Sequence, residues 1–153
     1  MTAETAIHRR VADARAGKDD SVLCRCASGW AVFGRQQFVQ GYLLLLPDPV
    51  VPDLNALPAR RRTQFLKDMS HLGDALMRIA SPVRINYAIF GNVEPALHAH
   101  VIPRYLGEPE HMHAQHPWVY DWNAAPAFDP VAMGALADAL RGELERLGTS
   151  IPR

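Results

Sequence analysis

Ile85-Asn-Tyr-Ala-Ile-Phe-Gly-Asn-Val-Glu-Pro-Ala-Leu-His98-Ala-His100-Val-Ile-Pro-Arg-Tyr105 is the stretch whose reading decides the fold. Side chains alternate faces along a strand, so His98 and His100 share one face while Leu97, Ala99 and Val101 share the other. The apolar face packs on a core and leaves both imidazoles on the open surface of a sheet. Two residues apart on a strand, their β-carbons stand roughly 6.5–7 Å apart, about two rises of ~3.3 Å. Upstream, Ile85, Tyr87 and Ile89 alternate with Asn86, Ala88 and Phe90, which also reads as extended chain, and Gly91-Asn92 supplies turn chemistry. The expectation is a hairpin with its turn near residues 91–95, its second strand ended by Pro103, which cannot donate to a ladder.

Outward from the hairpin, the chain alternates short strands and two substantial helices. Residues 21–26 and 30–33 read as strands, and Gly41 to Leu46 is the clearest, its four consecutive leucines suiting a strand covered on both faces. A long helix starts near Pro58, a residue favoured at the first helical position. Phe65, Met69, Leu72, Leu76 and Ile79 form its apolar stripe, and Ser81-Pro82 ends it. Arg60, Arg61 and Arg62 read as a solvated first turn. A C-terminal helix over about 130–147 is capped by Asp129, carries Pro130 at its first position and the stripe Met133, Leu136, Leu140, Leu144 and Leu147, and closes at Gly148. Ile7, Val11 and Ala14 have the spacing of an N-terminal helix over about 1–16. Between hairpin and last helix, breakers interrupt residues 106–128, although Trp118, Tyr120 and Trp122 alternate as if extended. The fold class is α+β, an antiparallel sheet of five or six strands with two main helices, in one domain over residues 1–153.

Composition excludes several functions. Lys and Arg number 16, as do Asp and Glu, so no net field draws nucleic acid or an acidic membrane surface. The longest apolar run, Tyr42 to Leu46, is too short to span a bilayer, and the N-terminus carries His8, Arg9 and Arg10 where a signal core would lie. Cys24 and Cys26, the only cysteines, read as reduced residues of a cytoplasmic protein.

The histidines carry the chemistry. One reading is metal ligation, because His98, His100, His111, His113 and His116 crowd one region and three imidazoles suffice for a catalytic zinc. The carboxylate that should follow the His-x-His pair is missing, since Glu108 and Glu110 come too late; no metal and no cofactor are assigned. The other reading is nucleophilic catalysis: a neutral imidazole attacks phosphorus when an acceptor holds its far nitrogen and a nearby donor stabilises the developing charge.

Asn92-Val-Glu-Pro-Ala-Leu-His98-Ala-His100-Val-Ile-Pro103-Arg104 resembles the signature of the histidine triad family of nucleotide hydrolases and transferases. Gly41-Tyr-Leu-Leu-Leu-Leu-Pro47 looks like that family's Gly-His-x-Leu-Val-Ile-Pro strand, and a long helix followed by Ile85-Asn86 keeps the family's order. The resemblance covers residues 30–105. It implies a histidine triad-like fold and a nucleotide or dinucleotide substrate, with hydrolysis of a phosphoanhydride or phosphoramidate through a nucleotidyl-histidine and a homodimer built through the long helix and an adjacent strand. It makes His98 the nucleophile, His100 and Asn92 the groups that stabilise charged oxygens, and Asn86 a nucleoside-positioning residue. Three positions depart from the family. The first triad histidine is Ala96, the ribose-gripping residue falls near Gly34, and the histidine common after the Val-Ile-Pro motif is absent. A non-catalytic nucleotide-binding protein of the same fold is the alternative.

Overall fold

The structure, a computed structural model, describes residues 4–152. Helix α1 (Ala6–Arg15) leads into strands β1 (Val22–Arg25), β2 (Gly29–Phe33) and β3 (Leu43–Pro47); helix α2 (Ala59–Ala80) precedes β4 (Arg84–Ile89) and β5 (Ala99–Arg104), and α3 (Gly134–Arg146) closes the chain. The five strands form one antiparallel sheet in the order β1-β2-β3-β5-β4. This is the α+β architecture expected, and α1 falls within the N-terminal helix expected over about 1–16, of which residues 1–3 lie outside the described residues.

The four leucines of β3 show how the layers are built. Leu43 and Leu45 point to one face, where they pack with Phe65, Leu72 and Leu76 of α2 and Leu140 and Leu144 of α3. Leu44 and Leu46 point to the other, under Ile7, Val11 and Ala14 of α1. A continuous apolar run thus marks a central strand buried on both faces. The stripes of α2 and α3 both turn toward the first face, as a 3.6-residue period requires of helices that share one core.

Three boundaries differ from those the sequence suggests. Pro103 lies inside β5, opposite Ile85 of β4; β3 pairs with β5 only over Ala99 to Val101, so the missing N–H falls beyond that ladder. Asp129 caps an isolated turn by accepting the N–H groups of Val131 and Ala132, and α3 begins only at Gly134. Pro58 is the cap residue of α2, one position before the helix.

Candidate active site

The hairpin forms, but its connection is long: β4 ends at Ile89 and β5 starts at Ala99, one residue after His98. The loop between them is tied down near the histidines, where Leu97 N–H donates to Val51 O at 2.8 Å. His98 Nδ1 sits 2.7 Å from Ala96 O. A carbonyl only accepts, so Nδ1 carries the ring proton and Nε2 is left with its lone pair. The methyl of Ala96 is fully buried in the cluster of Ile7, Val11 and Trp30 beneath α1. A histidine at this position would have to displace part of that cluster, whereas alanine supplies the carbonyl without the ring.

His100 follows on the same face, its ring centroid 4.9 Å from that of His98 at a steep angle. The hydroxyl of Tyr42, just before β3, lies 2.7 Å from His100 Nδ1. Burial pushes the Tyr42 phenol up, keeping its proton. With that hydroxyl as the donor, the ring of His100 carries its own proton on Nε2. Burial first, and His98 second, push the His100 pKa down to about 3, so the ring is neutral at physiological pH. The same tyrosine explains Gly34: a β-carbon there would lie 2.1 Å from the Tyr42 ring. The position expected to grip ribose thus has no room for a side chain while Tyr42 stands beside it.

Both histidines are less open than a bare sheet face implies, with His98 8% and His100 9% exposed. The chain after β5 folds back over them. Trp118 meets the His100 ring edge-on at 4.9 Å and Phe90 at 4.8 Å. Trp122 stacks against Phe38 at 4.0 Å and contacts Tyr42. Residues 117–119 make a short 3-10 turn, so Trp118, Tyr120 and Trp122 are not a strand. Arg104 holds this covering chain in place. It is 5% exposed, and its Nε donates to both Glu108 carboxylate oxygens, Nη1 to Gln115 O at 2.8 Å and Nη2 to Met112 O at 2.8 Å.

What stays open is a cleft of about 1080 Å³ over β4 and β5, lined by His98, His100, Asn86, Asn92, Phe90 and Trp118 among others. Asn86 Oδ1 accepts from Arg104 Nη1 at 2.9 Å. Since arginine has no acceptor, the amide is oriented with its NH2 away from Arg104, free to donate. Asn92 is exposed on the loop before His98. The four site residues named from sequence therefore line one cleft. Of the other histidines, His113 and His116 reach its wall. Among the described residues no group of three or more His, Cys, Asp or Glu side chains is drawn together to share a metal ion. Cys24 and Cys26 are buried free thiols, Sγ to Sγ 3.8 Å.

Tyr42 and Arg104 shape the site in ways that the sequence alone does not assign. In the sequence Arg104 is only the last residue of the histidine motif, and Tyr42 stands where the resembled family has histidine, which is the available signal.

No protein-family model matches the sequence, and neither does any curated protein. Solved structures do match. A histidine triad protein from Marinobacter aquaeolei VT8 aligns with a TM-score of 0.73 at 20% identity, covering 95% of this chain and 99% of its own. A histidine triad protein from Bradyrhizobium japonicum aligns at 0.69 and 23% identity, covering 81% and 91%. A hypothetical histidine triad nucleotide-binding protein from Sulfolobus tokodaii strain7 aligns at 0.69 and 12% identity, covering 90% and 91%. The chain has the histidine triad fold.

Proposed function

We propose that this chain is a divergent histidine triad protein that hydrolyses a phosphoanhydride or phosphoramidate of a nucleotide through a nucleotidyl-histidine. The observation that carries this reading is the 2.7 Å contact between His98 Nδ1 and Ala96 O at the cleft wall. It leaves Nε2 as an unprotonated nucleophile without any histidine at position 96. Nε2 forms a bond to phosphorus as the bridging bond to the leaving group breaks and the electron pair departs with that group. The ring is then a cation with its proton still on Nδ1, beside the Ala96 carbonyl. Water next attacks phosphorus, the N–P bond breaks and neutral His98 returns. His100 Nε2–H, the Asn86 amide and Asn92 donate to the oxygens on which charge accumulates.

The test is a covalent adduct. Protein mixed with a dinucleoside polyphosphate and quenched in base should carry a nucleotidyl group on the peptide containing His98, because a phosphoramidate bond survives base and is lost in acid. Nucleotide binding with neither turnover nor adduct would leave the chain a non-catalytic nucleotide-binding protein.

The same reading makes the chain a homodimer through α2 and β4. β4 is a sheet edge, and Leu66 and Met77 on α2, Tyr87 on β4, and Val83 and Phe90 at either end of β4 leave apolar surface exposed. Sedimentation should give twice the 17.0 kDa of the chain at micromolar concentration; a monomer there rejects the pairing. No helix among the described residues is long and apolar enough to cross a membrane, and two reduced thiols suit a cytoplasmic protein.

A further inference from the structure

The Trp122 indole fills the space on the β3 side of the histidines. It lies against Phe38 at 4.0 Å and Trp118 at 5.4 Å, and meets Tyr42 edge-on at 5.5 Å. The space is thus walled by aromatic rings on three sides, and the His100 ring stands 6.4 Å from the indole. Yet the indole Nε1–H is buried and has no hydrogen-bond partner among the described residues. A buried donor left unpaired costs free energy, and native structures satisfy nearly all of theirs. The indole is held in this socket by shape alone.

The chain that carries Trp122 is lightly tethered. On one side the Tyr120 hydroxyl donates to Glu108 at 2.6 Å; on the other, Pro126 O accepts the Gln37 N–H at 2.8 Å. Between these anchors, residues 121–125 make no hydrogen bond to the rest of the molecule among the described residues. Asp121 Oδ1 accepts the N–H groups of Asn123 and Ala124, which closes the segment on itself. Asp121, Asn123 and Ala124 are exposed, so Trp122 is the large side chain that fastens the segment to the body. Few buried contacts and no backbone tie mark a segment that opens at low cost.

With the indole withdrawn, a flat slot remains between Phe38, Trp118 and the edge of Tyr42. An indole is a planar fused bicycle, as is a purine. Gln37, next to Phe38 in the chain, has no group left to read a base edge: its Nε2 donates to Gly34 O and Tyr42 O, and its Oε1 accepts the Gly41 N–H. A ring seated there is held by stacking. We infer that Trp122 is a displaceable plug: its indole closes a purine-sized aromatic slot beside His100, and a purine ring enters by expelling it as residues 121–125 swing outward. The identity of the ring rests on the nucleotide reading of the site. The closed slot makes the chain self-inhibited, because its apparent affinity is lowered by the fraction of molecules in which the slot is shut.

The experiment is calorimetric titration of the wild-type and Trp122→Ala proteins with adenosine, which carries no phosphate and so reports on the slot apart from the chemistry at His98. Trp122→Ala should bind adenosine about tenfold more tightly than the wild type, since no ring has to leave. An indole that forms part of the binding surface gives the opposite sign, because truncating it weakens binding. Equal or weaker binding by Trp122→Ala therefore overturns the plug. A second measurement uses the wild-type protein. Its Trp122 indole N–H resonance, identified by its absence in Trp122→Phe, should be protected from solvent exchange and lose that protection when adenosine saturates the protein. Protection that persists at saturation also overturns the plug. Turnover of a dinucleoside polyphosphate is measured separately. The expected gain in adenosine affinity without turnover refutes the hydrolase reading and keeps the plug. Turnover without that gain keeps the hydrolase and refutes the plug, and absence of both binding and turnover refutes both.

Discussion

Replacing His98 with alanine should lower turnover of a dinucleoside polyphosphate by about four orders of magnitude or more, the scale on which loss of a nucleophile acts in other covalent enzymes. The reason lies in the division of labour at the site. His100 has its Nδ1 engaged with the Tyr42 hydroxyl, and with that hydroxyl as donor its Nε2 carries the proton and has no lone pair with which to replace His98. No other imidazole shares the face of β5, and His113 spends Nε2–H on Glu108 O at 2.8 Å. The substitution removes a buried ring from the cleft wall and leaves Ala96 O to water, which should cost about 1–3 kcal/mol of stability and leave the fold intact. His98→Gly with added imidazole sharpens the result, since a free ring in the vacated space should restore part of the rate without restoring a protein-bound adduct. Turnover undiminished in His98→Ala would remove His98 from the mechanism.

The second large effect is expected away from the chemistry. Arg104→Met should destabilise the protein by about 3–5 kcal/mol, the usual consequence of removing one member of a buried ion pair. For a chain of this size that lowers Tm by on the order of 10 °C. The loss exceeds that of an ordinary surface pair because Arg104 and Glu108 are both enclosed, their side chains 6% and 8% exposed. Glu108 also accepts the Tyr105 N–H and the Tyr120 hydroxyl, both at 2.6 Å, so its carboxylate would keep polar neighbours but lose its cation. Burial, with the Glu108 contact behind it, already holds the Tyr120 pKa up at about 12, so the phenol stays a donor. Arg104→Lys should recover little, because an ammonium cannot reach Glu108, Asn86, Gln115 and Met112 in one planar fork. In the double variant Arg104→Met, Glu108→Gln, the loss should be smaller than the sum of the single losses. Calorimetry checks these shifts; a change in Tm below about 2 °C for Arg104→Met would mean that the chain after β5 is held by other contacts.

These two expectations also separate what was readable along the chain from what was not. Local period and punctuation determine the elements. The alternation around His98 and His100 put both rings on one face with Leu97, Ala99 and Val101 on the other, and the latter three do lie in the core under α2 and α3. The four leucines of β3 mark a strand covered twice, and the stripes of α2 and α3 mark the side of each helix that is buried. Each of those signals is carried by residues within a turn or two of one another, and burial of apolar area acts on them whatever lies far away. Tertiary structure decided the state of the site. Tyr42 and His100 are 58 positions apart, and only their contact sets which ring nitrogen bears the proton. The same ring closes the space over Gly34, which turns an absent side chain into a blocked pocket. Residues 105–128 have no period from which their path could be read, and beyond the Glu108 carboxylate Arg104 holds them through the carbonyls of Met112 and Gln115, a group that is the same in every residue. That path carries Trp118 and Trp122 over the histidines, burying rings that the strand pattern alone leaves open.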